Sequence, residues 1–234
     1  NDSKWRQAVG EVTPDYEDIL LPKGYQKIKE EALAKIEELD IAIPENIEKI
    51  EFYKSQVIIC DGIMTFAKRY SDLAYEMAQK ETNEKRKAEL IKIGDVCKKV
   101  PAYPPESFYE AIQFIWFVQV GGIICENPLS LNPGRFDQYM YPYYEKDIKE
   151  GKLDKDGELI EALWIKYSEW VWTISENTAG YFAGYNQFQN LTVGGRKRDG
   201  SDATNDLTYL CLQATKDVKT HQPGLSVRIH PGAP

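Results

Sequence analysis

Apolar positions recur with a helical period through the first two thirds of the chain. From Tyr16 to Leu39 they fall at Ile19, Leu20, Tyr25, Ile28, Ala32 and Ile36, which predicts an amphipathic helix. Pro44 suits the first turn of a second helix, and its apolar positions run on to about Lys80. Asn83 is placed to cap a third helix that ends near Val100, before Pro101, Pro104 and Pro105. That proline cluster reads as a turn between packed helices. A fourth helix, Ser107 to Cys125, is apolar on most sides and is expected to be buried. Further helices are predicted at about 136–149 and 158–175.

The pattern changes after residue 175. Asn190–Val193 and Leu225–Ile229 are short, β-branched and bracketed by glycine, proline and polar turns. A segment with helical spacing separates them. This predicts two parallel strands of one sheet joined by a helical crossover. Just ahead of the first strand, Tyr181–Asn190 holds four aromatic and four amide side chains. Aromatic walls with a few polar anchors suit a small-molecule pocket, and core packing is the alternative.

Composition narrows the functional classes. The chain has 234 residues, 42% of them hydrophobic and 28% charged, with a formal net charge of −8. The negative balance argues against a nucleic-acid surface. No apolar run is expected to reach membrane-spanning length, and no basic-then-apolar leader opens the chain. Cys60, Cys97, Cys125 and Cys211 show no metal or disulfide spacing and are expected to be free thiols in a reducing cytosol. No metal site is expected. Asn1 and the ending at Pro234 suggest a segment of a longer polypeptide.

Four local clusters bear on chemistry. Arg135 and Asp137 open an aromatic-rich helix and read mainly as helix-terminus and packing residues. Glu126 follows a thoroughly apolar run, so it is either an exposed helix end or a carboxylate in a polar pocket. Cys125 has no base near it in sequence and is a poor candidate nucleophile. Gly194-Gly195, followed by Arg196-Lys197-Arg198, lacks a phosphate-loop motif and reads as a tight turn, with Ser201 or Asp202 capping the next helix.

Taken in order, several strings resemble a glycyl radical enzyme of the pyruvate formate-lyase type. They are GEVTPDYE (Gly10–Glu17), PPESFYEAIQFIWF (Pro104–Phe117), NPGRFDQYMYPYYEKDIKEGKL (Asn132–Leu153), FQNLTVGG with DGSDATN (Phe188–Asn205), and QPGLSVR (Gln222–Arg228). Within that family the chain looks most similar to the choline trimethylamine-lyases, with the isethionate sulfite-lyases next and the glycerol and propanediol dehydratases further off. The resemblance implies an α/β fold: part of a ten-stranded barrel of two antiparallel five-stranded parallel half-sheets with a helical outer layer. Residues of about 15–175 would supply the outer layer and about 188–230 the first barrel strands, with the C-terminal radical-bearing part absent.

The resemblance implies a lyase that cleaves the C–N bond of choline to trimethylamine and acetaldehyde. It also implies a glycyl radical installed by a radical-SAM activase, a homodimer, and a cytoplasmic or microcompartment setting. The family's Cys-x-Glu and Arg-Val-x-Gly-Tyr strings do not occur here, so no catalytic residue is assigned to this segment. Matched by position, Phe182 would face the substrate and Asp2 would sit near its ammonium group. Glu126, Tyr185 and Asn186 complete the candidate substrate-binding residues. A sulfite-lyase, a diol dehydratase and a non-catalytic helical scaffold remain alternatives.

Overall fold

The computed structural model describes residues 10–153, 157–170, 180 and 187–234. The chain divides into two compact units. One is helical and comprises residues 17–106 with residues 113–118. The other holds the strands and comprises residues 1–16, 107–112 and 119–234.

A π-helical turn at Tyr16–Leu20 leads into α1 (Leu21–Glu37), the first helix of the helical unit. The long helix α2 spans Pro44–Lys80 and α3 spans Glu84–Lys99. The predicted caps and limits of α2 and α3 hold. Pro44 lies in the first turn of α2, and the Asn83 side chain accepts from the Arg86 N–H at 3.0 Å. The buried positions of α2 include Ala67, Ser71, Ala74 and Ala78, three or four residues apart. Small side chains on that stripe let neighbouring backbones come close. Ser71 Oγ accordingly reaches the Gly94 carbonyl of α3 at 2.7 Å.

The single helix expected from Tyr16 to Leu39 is broken. Gly24 adopts φ 69°, ψ 165°, which only glycine tolerates readily. The next two backbone N–H groups, of Tyr25 and Gln26, donate to the carbonyls of Pro101 and Ala102 at 3.0 and 2.9 Å. The proline turn thus supplies acceptors to donors that a helix start leaves without partners.

The second unit begins with β1 (Glu11–Val12) and receives both ends of α4 (Phe108–Glu126). It continues with β2 (Ser130–Leu131), α5 (Phe136–Tyr139), α6 (Tyr141–Lys149) and α7 (Glu158–Ser168). Then come β3 (Asn190–Gly194), α8 (Asp206–Val218) and β4 (Gly224–Arg228). β1 pairs with β2 and β3 with β4, both parallel. Isolated bridges at Ser130–Phe188 and Gly134–Leu191 set the segment containing β2 beside the one containing β3, so the two-stranded sheets β1-β2 and β3-β4 lie edge to edge. The expected parallel pair of the last quarter is present, with Leu191 opposite Leu225 and Val193 opposite Val227.

Three sequence expectations are corrected in this unit. The helix expected at 136–149 divides at Met140 into α5 and α6, with Pro142 in the first turn of the second. The cap of α8 is neither Ser201 nor Asp202. Asn205 accepts from the Thr208 N–H and Thr208 answers with its hydroxyl, a reciprocal capping box. Ser201 instead closes a turn on Asp199, and Asp202 accepts from Thr204 and pairs with His230. Finally, α4 is long and apolar enough to span a membrane by length and composition. Half of that stretch is buried within the fold, including Gln119, whose amide donates to the Tyr16 hydroxyl at 3.1 Å. These are features of a core helix.

At Gly24, a Cβ would lie 2.4 Å from the Ala102 carbonyl oxygen, and φ is already positive. Gly24→Ala should therefore lower the unfolding free energy by about 2–4 kcal/mol, from backbone strain and the displaced carbonyl. Urea denaturation followed by circular dichroism measures it; a loss below about 1 kcal/mol contradicts the clash.

Candidate functional site

β3 is the element around which the candidate site is built. Its residues alternate as a pleated strand requires. Gln187, Gln189, Leu191 and Val193 are fully buried. Phe188 and Asn190 are exposed and Thr192 is half-buried. One face of the ladder is therefore buried, and α5 and α8 pack against β3. The other face is open and carries Phe188, Asn190 and Thr192.

The end of β3 is held by α5 and α8. Asp137 is fully buried, and its Oδ2 accepts from the Gly194 N–H at 2.7 Å and the Thr208 hydroxyl at 2.5 Å. Arg135 donates to the carbonyls of Gly194 and Arg196, both at 3.1 Å. Gln138 donates to the Ala203 carbonyl at 2.8 Å. The Tyr139 hydroxyl donates to the Pro133 carbonyl at 2.7 Å. The NPGRFDQY segment is thus a brace, the structural alternative read from its sequence. Gly194 and Gly195, both at positive φ, turn the chain after the strand, and no phosphate loop is formed.

At the other end, buried amides fasten the start of β3. Gln187 donates to the Pro128 carbonyl. Gln189 donates to the Tyr167 carbonyl at 2.8 Å, and its backbone N–H donates to Gln222 Oε1 at 3.0 Å. The amides that looked like pocket anchors in sequence therefore divide in two. Gln187 and Gln189 serve the core, and Asn190 faces outward.

Between β2 and β3 the ladder is irregular. Three residues lie between Ser130 and Gly134 but only two between Phe188 and Leu191, so the segment after β2 carries one extra residue, a bulge. Asn132 sits in it. Its Oδ1 accepts from the Asn190 backbone N–H at 2.9 Å and from the Ser130 hydroxyl at 2.7 Å. The side chain replaces the carbonyl that the bulge displaces. On the open face, the Ser226 hydroxyl of β4 donates to Asn190 Oδ1 at 2.9 Å. The sequence reading missed Asn132; its signal is an asparagine before proline and glycine at a strand end.

Of the candidate substrate-binding residues, Asp2, Phe182, Tyr185 and Asn186 lie outside the described residues. Glu126 is the last residue of α4 and is exposed there, beside Asn127 in the left-handed conformation at φ 42°. Glu126 is thus the one of the five that lies among the described residues. The thiols differ sharply. Cys60, Cys97 and Cys211 are buried and Cys125 is exposed, and all four are free. Burial pushes the Cys97 thiol up to about 11. Burial also holds Cys211 well above the ordinary thiol value, and the nearby Asp137 charge acts in the same direction.

Residues 2–234 match the pyruvate formate lyase-like family. The chain belongs to that family. It is 43% identical over 237 residues to the isethionate sulfite-lyase of Nitratidesulfovibrio vulgaris, covering 99% of this chain and 28% of the relative. A Roseburia inulinivorans structure described for 1,2-propanediol dehydration superposes with a TM-score of 0.91 at 44% identity, over 97% of this chain and 28% of that one. A glycyl radical enzyme from Archaeoglobus fulgidus gives a TM-score of 0.90 at 37% identity, over 96% of this chain and 29% of that one. The chain thus spans little more than a quarter of these relatives. In this family its helices and parallel strands form a mainly helical α/β segment of a larger barrel.

Two outcomes follow from this geometry. Asp137→Ala strips partners from a buried N–H and a buried hydroxyl and should cost about 3 kcal/mol of stability in denaturant titration, with Asp137→Asn costing about half as much. If the alanine variant is as stable as the parent, the brace is not what holds β3. Separately, iodoacetamide at pH 8 should label Cys125 in the folded chain and leave Cys97 and Cys211 unmodified until denaturation, since the thiolate is the reactive form. Fast labelling of Cys211 in the native state contradicts its burial.

Proposed function

We propose that the polypeptide containing this chain is a glycyl radical lyase. It removes a leaving group from a small substrate that carries a hydroxyl on the neighbouring carbon. The observation that carries this reading is the match of residues 2–234 to the family, with isethionate and 1,2-propanediol acted on by relatives more than 40% identical. Both compounds, and choline, share a hydroxyl next to the carbon that bears the leaving group. A thiyl radical maintained by a glycyl radical would supply hydrogen-atom abstraction, from residues outside these 234. No described thiol has a Cys-x-Glu setting, and residues 1–234 contribute barrel wall and substrate contacts.

The leaving group is read from charge. No Lys or Arg occurs between Glu176 and Gly195, the aromatic segment ahead of β3. A sulfonate needs cationic donors, whereas a quaternary ammonium favours aromatic faces and a carboxylate. This supports choline, giving trimethylamine and acetaldehyde, with Phe182, Tyr185 and Asn186 lining the pocket and Asp2 and Glu126 as acidic contacts. A neutral leaving group, water from a diol, fits the same segment. Sulfite release from isethionate is the second reading, favoured by the 43% identity. A radical-SAM activase, a homodimeric state and a cytoplasmic or microcompartment location belong to the same proposal.

The test is anaerobic activation of the parent polypeptide by its activase, followed by turnover of choline, 1,2-propanediol, glycerol and isethionate. Choline or diol turnover above that of isethionate is expected. Preference for isethionate would replace the first reading with the second. Phe182→Leu keeps apolar bulk but removes the ring quadrupole. It should raise the KM for choline several-fold, in line with a contact of roughly 0.5–2 kcal/mol. An unchanged KM would remove Phe182 from the pocket.

A further inference from the structure

The open face of β3 carries two carboxamides whose orientation is fixed. The Asn190 backbone N–H points at Asn132, so the atom that meets it must be the oxygen. Asn132 Oδ1 also takes the Ser130 hydroxyl, and its Nδ2 is turned away from both. Asn190 Oδ1 takes the Ser226 hydroxyl, which turns its own Nδ2 outward. Neither Nδ2 donates to another described residue. Asn190 is exposed and lies opposite the face that Leu191 and Val193 pack against the helices. In a barrel wrapped by helices, the face away from them is the interior.

We propose that the Nδ2 groups of Asn190 and Asn132 form a donor pair inside the barrel that binds the substrate's hydroxyl oxygen. This rests on the lyase reading above and deepens it. Two uncharged donors suit a neutral hydroxyl oxygen, which can accept through both lone pairs. They do not suit an ammonium group, which only donates. The pair therefore reads the part common to the candidate substrates and leaves the leaving group to the aromatic segment ahead of β3. Its preorganisation comes from the bulge, because Asn132 cannot rotate without stripping the Asn190 N–H of its acceptor.

Asn190→Asp and Asn132→Asp test the pair in the full parent polypeptide. Each keeps the oxygen that Ser226 or the Asn190 N–H requires and replaces only the outward donor. In activated enzyme, KM for the turned-over substrate should rise about tenfold in each variant, the loss of one substrate hydrogen bond. The glycyl radical signal in electron paramagnetic resonance and the melting temperature should stay at the parent values. An unchanged KM in both variants overturns the donor pair and leaves the lyase reading intact. A reduced radical signal with unchanged KM also overturns it, and assigns this face to a protein segment. If the parent turns over none of the four substrates, the lyase reading fails. Calorimetric titration of the unactivated protein with glycerol then decides the pair separately. Binding weakened by Asn190→Asp supports it; no binding, or unweakened binding, overturns it.

Discussion

A single buried carboxylate holds the strand unit in place. Asp137 accepts from the last residue of β3 and from the first turn of α8, and it belongs to α5 itself. Two consecutive elements, β3 and α8, thus meet on one oxygen supplied from far earlier in the chain. Burying a carboxylate is costly unless its bonds are made, so the site tolerates little displacement. The Asn205 amide donates to the Asp137 backbone carbonyl at 2.9 Å, which couples the α8 cap to the same point. Arg135 extends the lock by binding the carbonyls on either side of Gly195. β3 therefore leaves the brace with a fixed direction, and the open face inherits that precision.

The start of β3 is fixed by a different chemistry. Uncharged amides of Gln187, Gln189 and Gln222 pair with backbone groups of neighbouring segments. Charge holds one end of the strand and amides hold the other, and only the outward-facing residues remain on the open face. This division explains why an amide-rich segment contributes so little to the open face. Phe188, Asn190 and Thr192 alone among residues 187–193 face away from the helices.

Much of this architecture was legible in sequence where local signals were strong. α2 announced itself by period and α4 by its apolar run, and Asn83 caps α3 with the expected side-chain bond, while the cap bond between Ser107 and Glu110 was not foreseen. The parallel pairing of β3 with β4 followed from two β-branched runs spaced by a helix. What escaped notice depended on long-range partners. The break at Gly24 is set by the backbone of Ala102, which no local pattern reveals. β1 and β2 are two residues each, too short for alternation to show. DGSDATN offers several residues able to cap a helix, and only the tertiary bonds of Asp202 and Asn205 choose among them. The bulge at Asn132 needed the partner strand to be visible at all.

The pairing of β1 with β2 sets an order of events during folding. Glu11 meets Ser130, so the chain between them closes a loop that contains α1, α2, α3 and α4. Closing so long a loop carries a large entropic cost for four strand residues, and that cost shrinks once the intervening helices have condensed. β3 and β4, by contrast, are joined by one helix and pair at short sequence separation. Loop-closure entropy therefore favours pairing of β3 with β4 before pairing of β1 with β2.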